Sequence, residues 1–112
     1  MKETEIQQWI QDFYKQRGWS DYGPFERIAF LTEEVGETAR AVRAMEIGRD
    51  RPDEDPQSAE GLKQDFIEEL GDIMGNVFIL ASLYDVSIAE VLEAHKNKLS
   101  KRYNESIAGG QS

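Results

Sequence analysis

Glu33-Glu34-Val35-Gly36-Glu37 and Glu68-Glu69-Leu70-Gly71-Asp72 are two acidic stretches in a chain of 112 residues, and each is set in a long helical pattern. Residues three apart lie on one side of a helix, so Glu34 pairs with Glu37 and Glu69 pairs with Asp72. Two such pairs brought together would offer only oxygen ligands, which suit Mg²⁺ or Mn²⁺. We therefore expect a divalent-metal site between two helices.

The second acidic stretch runs directly into an apolar segment, residues 73–81, in which Asn76 is the polar exception. A helix that is apolar nearly all round is typical of a buried helix. Glu69, Asp72 and Asn76 share an arc with Ile79 and Leu83, so we expect these carboxylates to face protein. Unpaired buried carboxylates cost on the order of several kcal/mol each, which is the main physical reason to expect a cation.

The hydrophobic periodicity predicts an all-α fold of four helices. We expect the first helix from Thr4 to about Arg17, ended by Gly18, and the second from Pro24 to about Gly48. The third is expected from Leu62 to about Tyr84. A capping box formed by Ser87 and Glu90 should open the fourth, which runs to about Tyr103.

Each of the last three helices has an apolar stripe that we expect to form the core. The stripes are Ile28, Leu31, Val35, Ala39 and Val42; Phe66, Leu70, Ile73, Val77, Leu80 and Tyr84; and Ile88, Val91, Leu92, His95 and Leu99. On such a stripe the single histidine is more often a hydrogen-bonded core residue than a ligand. Arg40 and Arg43 fall outside the arc of Glu34 and are expected at the surface or paired with Glu33 and Glu46.

Composition narrows the class of protein. The length predicts one domain, residues 1–112, with a core at about 4–103, a polar loop at 49–61 and a frayed tail at 104–112. The net charge of −9 argues against general nucleic-acid binding, because phosphate backbones are held by Lys and Arg. The chain has no cysteine, no apolar run long enough to span a membrane and no signal peptide, so we expect a cytoplasmic protein without membrane contact.

The segment from Trp19 to Phe25 mixes turn-forming residues with aromatic ones. These aromatic side chains would either stack on a nucleobase or plug the end of the helical bundle, and the sequence favours neither. Gly36, Gly71 and Gly75 each cost about 1 kcal/mol in a helix relative to alanine, so we expect them to allow close approach of a helix or a ligand.

The paired acidic motifs resemble the E-E-x-x-E and E-x-x-D signature of the MazG-like, all-α nucleoside triphosphate pyrophosphohydrolases. The resemblance extends over roughly Phe25 to Tyr103. It implies magnesium-dependent cleavage of a nucleoside triphosphate, in particular a deoxynucleoside triphosphate, to the monophosphate and pyrophosphate, as in house-cleaning of nucleotide pools. Two features depart from the family pattern: the gap between the motifs is long, and His95 stands where an asparagine often precedes the lysine.

The resemblance also implies roles for individual residues. The metal ligands correspond to Glu34, Glu37, Glu69 and Asp72, and Glu33 with Glu34 would serve the attack of water. The candidates for substrate contact are Asn76, Lys98, Arg102, Trp19 and Phe25.

Apolar residues on more than one face of such a short chain predict self-association to a dimer or tetramer with sites shared between subunits. The alternative function is a non-catalytic helical interaction module whose acidic clusters bind a basic partner.

Overall fold

The computed structural model describes residues 2–48 and 57–103, and within them the fold is all-α with no strand. The four α-helices are α1 (Glu3–Gln16), α2 (Pro24–Ile47), α3 (Ala59–Leu83) and α4 (Ile88–Arg102), and one turn of 3₁₀ helix (Trp19–Asp21) lies between α1 and α2. The all-α expectation is thereby confirmed. The predictions for residues 49–56 and for the tail at 104–112 lie outside the described residues.

The helix ends follow from local chemistry. Gly18, just past the end of α1, has a φ of 77°, a conformation that glycine adopts without strain. Pro24 is the first residue of α2, where its missing N–H costs no hydrogen bond. At the start of α4 the Glu90 N–H donates to Ser87 Oγ at 3.1 Å and the Ser87 N–H donates to Glu90 Oε1 at 2.8 Å, which is the expected capping box.

Helix α3 begins earlier than predicted, at Ala59 rather than near Leu62. Ser58 is its N-cap, and the Ser58 Oγ accepts a hydrogen bond from the Gly61 N–H at 3.0 Å. This bond satisfies one of the free N–H groups of the first turn. Gly61 therefore lies inside the helix and not in the preceding loop.

Helices α2 and α3 pack along each other as the central pair, α1 packs on α3, and α4 packs chiefly against α1. Gln7 of α1 fixes the turn between α3 and α4. Its buried side chain accepts a hydrogen bond from the Ile88 N–H at 3.1 Å and donates to the Val86 carbonyl oxygen at 3.4 Å. The same turn contains Asp85, which adopts a positive φ of 58°.

The predicted core stripe of α2 is wrong for this chain by itself. Val35 is 52 % exposed, Ile28 45 % and Val42 39 %, whereas Arg27, predicted on no core face, is buried. The face of α2 that carries Arg27 and Phe30 packs on α3 instead. A helical wheel locates an apolar stripe but does not say whether the same chain covers it.

The predicted core positions of the other two helices are partly exposed as well. In α3, Phe78 and Ile79 are buried, but Leu70 and Tyr84 of the expected stripe are exposed. The stripe of α4 is buried at Ile88, and its remaining members are exposed: Val91, Leu92, His95 and Leu99. The expected core histidine is therefore a surface residue, because α4 extends along α1 and is not enclosed by α2 and α3. Within the described residues, the helices include none with the length and hydrophobicity needed to cross a membrane.

Candidate metal centre

Three carboxylates from α2 and α3 converge where the two helices pack. Glu34, Glu69 and Asp72 each contribute an oxygen, and these oxygens lie within 4.8 Å of one another. Glu34 and Glu69 are half-buried, whereas Asp72, which was expected to face protein, is exposed. The i, i+3 spacing of Glu69 and Asp72 places both on the side of α3 that meets Glu34. One member of the first predicted pair, Glu34, and both members of the second thus bring the two acidic stretches together.

The crowding changes the acidity of Glu34. Burial, the charges of Asp72 and Glu69, a hydrogen bond with Glu69 and the charge of Glu37 together raise the pKa of Glu34 to about 7. Each of these contributions disfavours the ionised form, and a cation between the carboxylates would reverse the repulsive ones. Clustered carboxylate oxygens are hard ligands, so the residues present fit Mg²⁺ or Mn²⁺.

Glu37 and Glu33 lie outside the group of three oxygens. Glu37 is partly exposed and forms an ion pair with Arg40, with an N–O distance of 3.7 Å. Arg40 is a surface residue, as one of the two expectations had it, and its ion-pair partner is Glu37. The side chain of Glu33 is exposed. The structure leaves both glutamates exposed on α2, and the charge of Glu37 is among the causes that raise the pKa of Glu34.

Arg27 and Asn76 form a buried polar pair beside these carboxylates. Arg27 is 4 % exposed and donates from Nη1 to the Asn76 side-chain oxygen at 2.9 Å. Its Nη2 donates to the Trp19 carbonyl oxygen at 3.0 Å, and the Asn76 amide nitrogen donates to the Asp72 carbonyl oxygen at 2.9 Å. Asn76 thus links the guanidinium to the backbone of a candidate metal ligand.

Aromatic rings surround this pair and line an open cavity of about 240 Å³ next to Glu34. The cavity is lined by Tyr14, Trp19, Tyr22, Arg27, Phe30, Glu34 and Asn76. Tyr14 meets Trp19 edge-on with ring centroids 5.1 Å apart, and Tyr22 meets Phe30 edge-on at 5.3 Å. Burial, opposed by the charge of Arg27, raises the pKa of Tyr14, with smaller contributions from Asp72 and Glu34. We call this space the aromatic cavity.

The structure brings some of the predicted substrate residues to the aromatic cavity and leaves others elsewhere. Trp19 and Asn76 line it. Phe25 is 87 % exposed and lies instead in an apolar groove with Ile28 and Tyr84. Lys98 and Arg102 are exposed on α4, and neither forms an ion pair with a carboxylate of the described residues.

The glycines near the motifs differ in their surroundings. A Cβ built on Gly36 or Gly71 would meet nothing within 4 Å, so the expected close approach is not present there within the described part of the chain. A Cβ on Gly75 would lie 3.4 Å from the Tyr14 hydroxyl oxygen. Of these three glycines, Gly75 therefore has the close neighbour, which is a side chain of α1.

Sequence reasoning missed Arg27 and Tyr14 as residues of this region. Arg27, Phe30 and Glu34 follow one another at three- and four-residue spacing, so the helical wheel places Arg27 on the face of Glu34. That spacing was the available signal. Tyr14 gave none, because its position depends on how α1 crosses α3.

Known proteins resemble this chain over most of its length. Residues 24–107 match the family model described as the MazG nucleotide pyrophosphohydrolase domain. The chain is 54% identical over 103 residues to YvdC of Bacillus subtilis (strain 168), described as an uncharacterized protein, and the match covers 92% of this chain and 97% of YvdC. It is 30% identical over 100 residues to YpjD of the same organism, also described as uncharacterized, covering 89% of this chain and 81% of YpjD.

A solved structure matches as well. The crystal structure of YpjD from Bacillus subtilis, described as a candidate pyrophosphatase, superposes with a TM-score of 0.64 at 28% sequence identity. The superposition covers 90% of this chain and 92% of that one.

Proposed function

The chain belongs to the MazG nucleotide pyrophosphohydrolase domain family, and from this premise we propose that it hydrolyses nucleoside triphosphates, in particular deoxynucleoside triphosphates, to the monophosphate and pyrophosphate. The convergence of Glu34, Glu69 and Asp72 is the observation that carries the proposal. A nucleotide-directed hydrolase needs positive charge beside the triphosphate, and these acids can hold it in the form of a divalent cation.

Mg²⁺ is the proposed cofactor, with Mn²⁺ as a substitute. Glu34, Glu69 and Asp72 would hold it, and Glu37 would join them after releasing Arg40. When bound, the cation supplies electrophilic stabilisation of the negative charge on the phosphate oxygens. The raised pKa of Glu34, about 7, supports this assignment, because such crowding of acids is relieved by a bound cation.

The protein's own side chains would orient the two reactants. Glu33 is exposed, directly precedes Glu34 in the chain and is the proposed residue that orients the attacking water or accepts its proton. Trp19 and Asn76 line the aromatic cavity that borders Glu34, so a nucleotide whose phosphates lie at the carboxylates would reach them. Lys98 and Arg102 are the proposed contacts to the phosphates.

We also propose that the chain works as a dimer or tetramer. An apolar groove of about 580 Å³ lies between α2 and the end of α3, and its proposed occupant is a second copy of the chain. Its lining includes Pro24, Phe25, Ile28, Val77, Leu80 and Tyr84. The basic end of α4 and the acidic carboxylate group are complementary in charge, and neither neutralises the other through an ion pair among the described residues. A second copy would bring such surfaces together.

Measured pyrophosphate release tests the proposed reaction. The purified protein is incubated with each deoxynucleoside triphosphate in Mg²⁺, and the products are separated. We expect monophosphate and pyrophosphate in equal amounts, and no turnover after chelation of the metal. The variant Asp72→Asn, which removes one of the three carboxylates, should lose turnover. Its matched control is Asp65→Asn, because Asp65 is an exposed acid on α3 outside the carboxylate group. Absence of turnover with every triphosphate, or release of orthophosphate instead, would contradict the proposal.

A further inference from the structure

The aromatic cavity contains the buried guanidinium group of Arg27, which has no role in the proposed reaction. Resting on the proposed function, we propose that this cavity binds the nucleobase and that Arg27 selects bases with a carbonyl group on the inserted edge. Guanine, hypoxanthine, thymine and uracil carry such a carbonyl opposite the sugar, whereas adenine and cytosine carry an amino group there. We call the two classes keto bases and amino bases.

The size and walls of the cavity suit one part of a nucleotide. Its volume of about 240 Å³ is below the roughly 300–1,000 Å³ of pockets that enclose a whole drug-sized ligand. Four of its lining residues are aromatic: Tyr14, Trp19, Tyr22 and Phe30. Aromatic side chains favour stacking on a planar ring. Because Glu34 at the border belongs to the carboxylate group, a base in the cavity would leave its phosphates beside the proposed cation site.

Arg27 lines the cavity and offers a ligand only hydrogen-bond donors. A guanidinium has five N–H donors and no acceptor. Two of the donors are engaged, by Asn76 and by the Trp19 carbonyl, and Nε has no partner. Within the described residues no carboxylate pairs with Arg27. A buried cation with unused donors is stabilised by a ligand that brings oxygen lone pairs.

Asn76 cannot turn to offer a ligand its oxygen in place of the Arg27 donors. Its oxygen faces the guanidinium, which only donates, and its amide nitrogen faces the Asp72 carbonyl, which only accepts. The two contacts therefore fix the orientation of the amide. An amino group entering the cavity would meet donors on Arg27, whereas a carbonyl group would meet a complementary partner. A site that hydrogen-bonds one group rejects the analogue that lacks it.

Part of this cavity lies outside the region matched by the family. Tyr14 and Trp19 precede residue 24, where the family match begins, and Tyr14 lies on α1. Arg27 and Asn76 lie inside the matched region, so the proposed base selection rests on residues of the shared domain. The segment before residue 24 contributes aromatic wall and not the selecting hydrogen-bond donors.

Matched pairs of substrates test the proposal on the unmodified protein. dITP and dATP differ at the six position, and dUTP and dCTP differ at the four position, by a keto group in place of an amino group. We expect kcat/KM to favour the keto member of each pair by about 5-fold to 150-fold, the range of one good base-edge contact. Equal values, or a preference for the amino member, in both pairs would overturn the proposal.

Variants then assign the selectivity to Arg27. Arg27→Met should reduce the keto-to-amino ratio of kcat/KM to near one, and this ratio does not depend on the fraction of protein that is folded. Arg17→Gln is the matched control, because the Arg17 guanidinium lies 5.9 Å from the Trp19 ring centroid but does not line the cavity. A keto preference retained in Arg27→Met would overturn the assignment even if the wild type shows the preference.

The test separates this inference from the proposed reaction. If the protein hydrolyses the members of both pairs equally, the reaction stands and the role of Arg27 is wrong. If it hydrolyses none, calorimetric titration with dUMP and dCMP, both free of the pyrophosphate group, still measures the cavity. Tighter binding of dUMP would support the inference, and equal affinity or no binding would overturn it.

Discussion

The carboxylates of Glu34 on α2 and Asp72 on α3 lie within 4.8 Å of each other. Two acids from separate helices thus share one small space. Burial and then the Asp72 charge are the two largest causes that raise the pKa of Glu34 to about 7. At neutral pH and without a divalent cation, Glu34 is therefore close to the midpoint of its titration, and a bound cation would compete with the proton. Both the proton and the cation have measurable consequences.

The first consequence is the pH dependence of stability without divalent cations. The folded pKa of Glu34, about 7, is above its ordinary value of 4.5, so between these values the folded state binds more protons than the unfolded state. Stability from this group is therefore present at low pH and lost as pH rises through that window. Melting curves in chelator should show that Glu34→Gln loses less stability than wild type between pH 5 and pH 8. Identical pH profiles of the two proteins would contradict the raised pKa.

The second consequence concerns the cation itself. Mg²⁺ binds deprotonated carboxylates and so should raise the melting midpoint more at pH 8 than at pH 5.5. Asp72→Asn should abolish this rise and lower turnover by at least about 100-fold, the scale of losing one preorganised electrostatic contact. Its helical content should stay unchanged in circular dichroism, and its stability in chelator should equal or exceed that of wild type. Asp65→Asn, treated identically, should behave like the wild type.

Local signals in the sequence were enough to predict the helices. Pro24 and the Ser87–Glu90 capping box mark helix starts by hydrogen-bonding chemistry that does not depend on the rest of the fold. The spacing of Glu69 and Asp72 likewise fixed their common side of α3. These features are properties of a few consecutive residues.

Features that depend on how helices meet were not predictable in the same way. Val35 and Val42 form an apolar stripe, but whether α3 or a second copy covers it is decided by packing between elements. Arg27 is charged, and charged residues are rarely buried, so composition argued against its observed position. Its burial becomes possible because the guanidinium donates to the Asn76 oxygen and to the Trp19 carbonyl oxygen. Asn76 lies on α3, 49 residues away, and Trp19 lies in the 3₁₀ turn before α2.

Gln7 provides a prediction about stability. Its buried side chain satisfies the Ile88 N–H and the Val86 carbonyl, so Gln7→Leu leaves both groups without that partner. We expect a loss of about 1–3 kcal/mol in the free energy of unfolding, measured in urea. The control is Gln8→Leu, because Gln8 is exposed and bonds only Asp12 one turn away, and it should change stability by less than about 0.5 kcal/mol. Equal effects of the two substitutions would contradict the assignment of Gln7 as the residue that fixes the turn.

Gly36 offers a stabilising substitution. Because a Cβ there would meet nothing within 4 Å, Gly36→Ala should gain the helix propensity of alanine, about 0.5–1 kcal/mol, with no steric cost. Gly75→Ala is the comparison, since its Cβ would lie 3.4 Å from the Tyr14 hydroxyl oxygen and the gain should be smaller. Urea unfolding of both variants measures the difference. A destabilised Gly36→Ala would show that another surface covers this part of α2.

Mixing two inactive variants tests whether sites are shared between subunits. Lys98 lies on α4, which packs chiefly against α1, and has no ion-pair partner among the described carboxylates, so we expect it to act on the site of a second copy. Asp72→Asn and Lys98→Ala should each be nearly inactive. When the two variants are refolded together in equal amounts, half of the resulting dimers contain one copy of each. Each mixed dimer has one intact site out of two, so the mixture should recover about a quarter of wild-type turnover. Asp72→Asn mixed with Glu69→Gln is the control, and no recovery is expected there, because both substitutions fall in the carboxylate group of a single chain. If the mixture of Asp72→Asn and Lys98→Ala also shows no recovery, the Lys98 contact to the phosphates comes from within one chain.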